Sequence, residues 1–320
     1  MTVSMSKIDM RDAFFERLVE VARQDERVIV LSADHGAFAL EKFQEEMPKR
    51  YINMGIAEQN MVGVAAGLAA SGKIVFIYGI TPFVSLRVLE QLTLDVAAMH
   101  LAVNVISVGA GFTYSTDGPT HQGLQDVAAV STIPGMTILN SSDPTNTRGF
   151  VDLAIESGKP HYIRIEKEKL ENFDRENRTA NFIADGYSII KKTNSSVIII
   201  ATGLMSHQAL EASKFIDNKY GFSIDVIDLH QIRPFPLSIA RDINEAKNIV
   251  IVEEAYQSTV ANDVKNLIYP VNRDVQIISI DVGFSFNFNS DTRPKMLKNV
   301  GISTEQIIDF ILSLPDVDIK

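Results

Sequence analysis

"GIAEQNMVGVAAGLAASGKIVFIY", residues 55–78, is the stretch on which the fold turns. Its first part is small and apolar, with one charged side chain, Glu58, before Lys73. A helix starting near residue 56 places Met61, Val62, Ala65 and Ala69 on the same stripe as Glu58. Its other faces carry Gly63, Ala66, Gly67 and Ala70, so the spacing predicts a helix over 57–71 that is buried all round. The run after it, 74–78, is apolar without alternation, as in a strand buried on both faces. A helix followed at once by such a strand is the unit of a parallel sheet covered by helices.

The unit recurs in both directions. Strands are expected at 28–32, 103–108, 136–140 and 162–165, with helices near 10–24, 84–99, 123–131 and 144–157. Residues 166–181, EKEKLENFDRENRTAN, then carry nine charges in sixteen positions and no apolar period, which reads as a solvated linker. Beyond it the alternation restarts, with strands at 197–201, 223–228, 248–253 and 275–281. Helices are expected at 206–218, 236–246, 257–268 and 303–313. The expectation is an α/β protein of two doubly wound domains with mainly parallel sheets, 1–165 and 185–320, joined by a charged linker, 166–184. A length of 320 residues suits two cores better than one.

Composition narrows the function. The net charge of −10 argues against a nucleic-acid partner, because a phosphate backbone needs a basic face. With no cysteine, disulfides, thiolate metal sites and a cysteine nucleophile are excluded. No apolar run approaches the roughly 18–20 residues of a membrane span, and MTVSMSKIDMRDAF lacks the apolar core of a signal peptide. A cytoplasmic protein with no membrane partner is expected.

Three groups of residues carry candidate chemistry. Glu58 reads either as a helix-start glutamate bonding backbone N–H groups or as a desolvated carboxylate placed to hold or share a proton. STDGPTHQG, residues 115–123, is a turn followed by a helix start, on the loop after a parallel strand. It puts Asp117 and His121 at the sheet edge where open α/β folds bind ligands; a capped turn with a surface histidine is the alternative. Tyr78, Phe83 and Phe112 lie just beyond strand ends, where rings are most often core. GAGFTY at 109–114 lacks the third glycine of a dinucleotide loop, and neither a Walker loop nor His-Glu-x-x-His occurs. TDG at 116–118 is not a diphosphate-binding metal motif, because the first glycine is missing.

Taken together, GIAEQN at 55–60, STDGPTHQG at 115–123 and SADH at 32–35 resemble the transketolase-like thiamine diphosphate enzymes. VIIIATG at 197–203, VIDLHQIRPF at 226–235 and IVIVEEA at 249–255 extend the resemblance in family order, from about residue 8 to 313. It implies a pyrimidine-binding domain followed by the family's C-terminal domain. Full-length members begin with a further domain that binds the cofactor's diphosphate through a metal ion. Only about 50 residues precede GIAEQ here, so the chain resembles the C-terminal subunit of a split transketolase. That implies an α2β2 assembly with an N-terminal diphosphate-binding subunit, inactivity of this chain alone, and a Mg2+ or Ca2+ ion held mainly by the partner, with no metal ligand here.

The resemblance also implies roles. Glu58 is expected to bond N1′ of the aminopyrimidine and control its protonation. His121 is expected to bond the substrate oxygen beside the reacting carbon, and Asp117 to read a sugar hydroxyl. Phe83 is expected to stack on the pyrimidine, with Tyr78 and Asp34 among the cofactor contacts. Arg11 and Lys167 are expected near the substrate, and Arg164 remains as a further basic group. Gly109 stands where many members have histidine or arginine, Ala37 and Phe38 lie near the serine of the first loop, and Lys167 replaces an arginine. Fewer bidentate arginine contacts weaken phosphate recognition, so the expected acceptor is a nucleotide-linked or otherwise modified sugar rather than an ordinary pentose phosphate. The implied reaction is two-carbon ketol transfer. Alternatives are a 1-deoxyxylulose-5-phosphate synthase-like enzyme, a 2-oxo acid dehydrogenase β-type subunit, and a non-catalytic scaffold.

Overall fold

Continuous apolar strands need cover on both faces, and the chain builds two sheets of that kind. The computed structural model describes residues 7–174, 182–315 and 317. The chain divides into two compact units, Met1–Thr113 with Thr120–Asn172, and Tyr114–Pro119 with Phe173–Lys320.

The first unit contains β1 (Val28–Ser32), β2 (Tyr51–Asn53), β3 (Ile74–Ile80), β4 (Val103–Val108), β5 (Thr137–Asn140) and β6 (His161–Ile165). Within the unit they run in the order β5-β6-β4-β3-β1-β2, all parallel. Every residue of β1, β3, β4 and β6 is buried, which is why their sequences show no alternation. Because β1 lies between β2 and β3, the winding reverses there, and open α/β sheets take their ligands outside the carboxyl ends of the strands at such a point.

Helices α1 (Met10–Ala22), α2 (Phe38–Glu46), α3 (Glu58–Ala70), α4 (Asp126–Val130) and α5 (Pro144–Ser157) belong to the same unit. Asp143 and Asn146 form a reciprocal capping box at the start of α5, Pro144 takes its first turn, and Gly158 ends it in a left-handed conformation. Two predictions about helices need correction. On α3 the stripe of Glu58, Met61, Val62, Ala65 and Ala69 is buried, but Gln59, Asn60, Gly63, Gly67 and Ala70 are exposed. Glycine and alanine carry little apolar area, so exposing them forfeits little burial. The helix expected at 123–131 begins only at Asp126, because Gly123 exchanges both backbone hydrogen bonds with Gly111 instead, each at 2.9 Å.

The charged segment also departs from the solvated linker predicted. Lys169–Leu170 pairs antiparallel with Ile8–Asp9, and Glu166, Leu170 and Phe173 are buried. Counting charges missed this because the apolar residues among them are few and far apart. Residues 175–181 of that predicted linker lie outside the described residues.

The second unit holds β7 (Tyr187–Lys191), β8 (Val197–Ala201), β9 (Asp225–Leu229), β10 (Asn248–Val252) and β11 (Gln276–Ile280) in the order β11-β10-β8-β9-β7. Four are parallel, and β7 joins the edge antiparallel to β9. Helices α6 (Leu204–Tyr220), α7 (Thr259–Ile268), α8 (Arg293–Asn299) and α9 (Thr304–Leu312) accompany it. Among the described residues no helix is long and apolar enough to cross a membrane.

Candidate active site

A carboxylate, a cation and two rings come together on the segments that follow β2, β3 and β4. Glu58 is the first residue of α3, and Ala57 before it supplies no side-chain cap. The positive end of the helix dipole favours an anion at that position. The Glu58 carboxylate is nevertheless turned to a side chain rather than to the helix backbone. Its Oε2 accepts from Arg87 Nη1 at 2.8 Å, and its side chain is 2% exposed. Oε1 is buried and, among the described residues, has no partner. The purely apolar surroundings predicted for Glu58 are therefore corrected: one oxygen is in an ion pair and the other is unsatisfied.

Arg87 was not foreseen. Its guanidinium carbon lies 4.3 Å from the centre of the Phe83 ring, so the same group serves a carboxylate and a π face. The signal for it was present as an i, i+4 pair, Phe83 and Arg87, just past β3. The Phe83 ring in turn meets the His121 imidazole edge to face, with centroids 5.2 Å apart. Thr120 Oγ1 and His121 Nδ1 lie 2.9 Å apart, which bears on the tautomer of the ring. Glu58, Arg87, Phe83 and His121 thus form one continuous run of contacts.

A buried network holds the His121 loop. Arg164 Nε donates to Asp126 Oδ2 at 3.0 Å and Arg164 Nη2 donates to the Gly123 carbonyl. Tyr162 Oη donates to Asp126 Oδ2 at 2.9 Å and contacts Ser107 Oγ at 2.7 Å; Ser107 donates to Thr81 Oγ1 at 2.8 Å. Burial pushes the Tyr162 phenol well above its ordinary value, with the Asp126 charge adding to it, so the hydroxyl stays a neutral donor. At Gly123 a side chain would meet Gly109 O and the Thr81 methyl, so only glycine fits there beside its bridge to Gly111.

Other predicted residues fall elsewhere. Tyr78 is 1% exposed, and its ring packs edge to face on Phe15 at 5.1 Å. Phe112 is likewise fully buried. Asp34 is exposed, with its Oδ1 accepting from Asn53 Nδ2 at 3.0 Å. Arg164, with a 3% exposed side chain, is committed to Asp126 and is not an available basic group. Arg11 forks on Asp9, with Nη2 to Oδ2 at 2.8 Å and Nε to Oδ1 at 3.1 Å. Lys167 is exposed just after β6. Asp117 is exposed on Tyr114–Pro119, the segment that belongs with the second unit, where Ser290 Oγ donates to the Thr116 carbonyl at 3.1 Å.

Known proteins resemble this chain in sequence and architecture. The family description "Transketolase, pyrimidine binding domain" matches residues 6–172, and "Transketolase, C-terminal domain" matches 186–307. A 6-deoxy-6-sulfo-D-fructose transketolase subunit from Clostridium sp. (strain MSTE9) is 34% identical over 77% of this chain and 76% of its own. An apulose-4-phosphate transketolase subunit from Phocaeicola vulgatus is 33% identical over 77% of this chain and 79% of its own. Among solved structures, a split-gene transketolase described as an inactive beta4 tetramer superposes with a TM-score of 0.81 at 27% identity. That match covers 94% of this chain and 96% of the other.

Proposed function

The chain belongs to the transketolase family, and from that premise we propose that Glu58, Phe83 and His121 are its contribution to a thiamine diphosphate site for two-carbon ketol transfer. It is a transferase subunit of the split type, made of the pyrimidine-binding and C-terminal domains and working with a partner subunit. The observation that carries the site is the buried, unsatisfied Oε1 of Glu58, held in place by Arg87 through the other oxygen. An unpaired buried carboxylate oxygen is costly, and a ring nitrogen of the cofactor would satisfy it.

Bound thiamine diphosphate supplies the nucleophilic carbon that carries a two-carbon unit from ketose to aldehyde. Everything else falls to side chains. Glu58 would hold or take a proton at Oε1, facing the aminopyrimidine. Arg87 would fix the carboxylate and cover one face of Phe83, whose ring would lie against the pyrimidine. His121, locked by Thr120 and Phe83, would bond a substrate oxygen. Asp117, four residues before it in sequence, would read a sugar hydroxyl, with Asp34 a further cofactor contact. The diphosphate and its Mg2+ or Ca2+ ion would be held mainly by the N-terminal subunit, in an α2β2 complex.

The acceptor we favour is a modified sugar. Arg164 is committed to Asp126 and Arg11 forks on Asp9, which weakens bidentate phosphate binding by these two guanidinium groups. The relatives above are named for a sulfo-sugar and an apulose phosphate. The test is product analysis with the assembled two-subunit enzyme. Ketol transfer between sugars without carbon dioxide from pyruvate is expected, with ribose 5-phosphate a poor acceptor. Carbon dioxide release from pyruvate would move the chain to deoxyxylulose-phosphate synthase chemistry, and efficient use of ribose 5-phosphate would overturn the acceptor assignment.

A further inference from the structure

The loop between β11 and α8 carries an apolar surface that the site described so far does not use. Residues 282–290, VGFSFNFNS, contain no charge, in a chain whose net charge is −10. Phe284, Phe286 and Phe288 are 79%, 63% and 80% exposed. Three such rings leave about 400 Å² of apolar surface in water, the size at which a patch on a single chain marks a contact site.

The loop that presents them is tied down along its length. Asp281 Oδ1 accepts from Gly283 N at 2.9 Å, and Asp281 Oδ2 accepts from Ser258 N at 3.2 Å. Phe286 meets the buried Tyr256 ring edge to face, with centroids 6.5 Å apart, and Phe288 lies 6.2 Å from Phe286. Asn287 Oδ1 accepts from Asn289 N at 3.0 Å. At the far end Asp291 pairs with Lys295 at 3.2 Å. Rings carried on a fixed loop lose little freedom on binding, which is what an aromatic hot spot requires.

Its position says what approaches it. Ser290 Oγ donates to the Thr116 carbonyl at 3.1 Å, and at most about 7 Å of chain separates Ser290 from Phe288. Thr116 adjoins Asp117, and His121 follows four residues later. The phenylalanine loop and Tyr114–Pro119 belong to the same unit. On the ketol-transfer reading above, on which this inference rests, the substrate lies between His121 and a cofactor whose diphosphate the N-terminal subunit holds. The surface of that subunit therefore has to come up to residues 114–121, and the phenylalanines flank its approach. A second copy of this chain seated on the same loop would stand in its way.

We propose that Phe284, Phe286 and Phe288 are a docking surface of this chain for the diphosphate-binding subunit, received by an apolar, uncharged part of that partner beside Asp117. A stable interface of ordinary size buries about 800 Å² on each side, so the three rings supply about half of it. Aromatic anchors of this kind sit in the part of an interface from which water is excluded. The second unit thereby takes part in closing the shared site, although it carries neither Glu58 nor His121.

The test mixes the full chain with the diphosphate-binding subunit and reads the dissociation constant by sedimentation velocity. Wild type is compared with Phe284→Ser/Phe288→Ser and with Phe215→Ser, a control at an exposed phenylalanine on α6. The constant is expected to rise about 100-fold or more in the double variant and to stay within about threefold of wild type in the control. Hydrogen exchange at 283–291 and 114–119 should slow in the wild-type complex relative to the chain alone, which tests the surface without any variant. An unchanged dissociation constant in the double variant overturns the proposal, as does exchange at 283–291 that the partner does not slow. Protection of the same loop by self-association of this chain alone also overturns it and makes the loop an interface between copies. If the wild-type subunits bind but transfer no ketol unit, the functional reading fails instead, and the binding comparison still decides the docking surface.

Discussion

Replacing Arg87 with Met removes the guanidinium but keeps an apolar stem over Phe83. Two interactions are lost. The charge-assisted bond to Glu58, 2.8 Å long and on a carboxylate 2% exposed, belongs to a class worth about 1.5–3 kcal/mol. The guanidinium–ring contact at 4.3 Å adds about 0.5–1 kcal/mol. Arg87 itself is 44% exposed, so the roughly 3–5 kcal/mol seen when a fully buried pair is broken overstates the cost. Arg87→Met is therefore expected to destabilise the chain by about 2–4 kcal/mol. In a Glu58→Met background, which has no oxygen to accept from the guanidinium, only the ring contact remains to be lost, and the same substitution should cost about 1 kcal/mol, a coupling of about 2 kcal/mol. Urea denaturation followed by circular dichroism reads all four proteins, since the chain has no tryptophan. A coupling below about 0.5 kcal/mol, the scatter expected of independent sites, would refute the claim that Arg87 acts on Glu58.

Arg164→Lys should lower thermal stability and cut turnover of the assembled enzyme by about tenfold or more, because an ammonium cannot serve both Asp126 and the Gly123 carbonyl in the guanidinium's geometry. Gly123→Ala drives a methyl to within 2.8 Å of Thr81 Cγ2; a loss of about 1–3 kcal/mol, with reduced turnover, is expected by thermal denaturation and assay. His161, buried at the start of β6 with Nδ1 2.8 Å from Asn104 Oδ1, has its pKa lowered by burial from 6.5 to about 4. The unfolded chain binds the extra proton first, so stability is full above pH 6.5 and falls as pH drops towards 4, by about 3 kcal/mol in total. Urea titrations across that range should show the slope in wild type and a shallower one in His161→Phe.

The fold was readable wherever a segment was long and strongly patterned. β1, β4 and β8 begin and end where their apolar runs do, and Pro144 and Gly158 mark both ends of α5. β2 was missed because Tyr51–Asn53 has three residues, too few for a period. β7 was missed because it pairs with β9 through the sheet, a contact that no local pattern announces. At the site, Glu58 and His121 stood out as polar groups in apolar or turn-forming surroundings. Arg87 and Asp126 did not, since an arginine or aspartate inside a helical stretch reads as a solvated face until the fold brings its partner to it. Tyr78 shows the converse: a ring at a strand end can pack on a neighbouring ring, as Tyr78 does on Phe15, and no local pattern announces that contact.

The central claim is that this chain supplies the proton-handling half of a shared active site through Glu58. Its most direct measurement is ketol transfer by the chain, by the diphosphate-binding subunit, and by their mixture, with wild type and Glu58→Ala in parallel. Turnover is expected only in the wild-type mixture, with a loss on the order of a thousandfold or more in Glu58→Ala while the complex still assembles. Turnover by this chain alone, or an undiminished rate from the assembled Glu58→Ala complex, would contradict it.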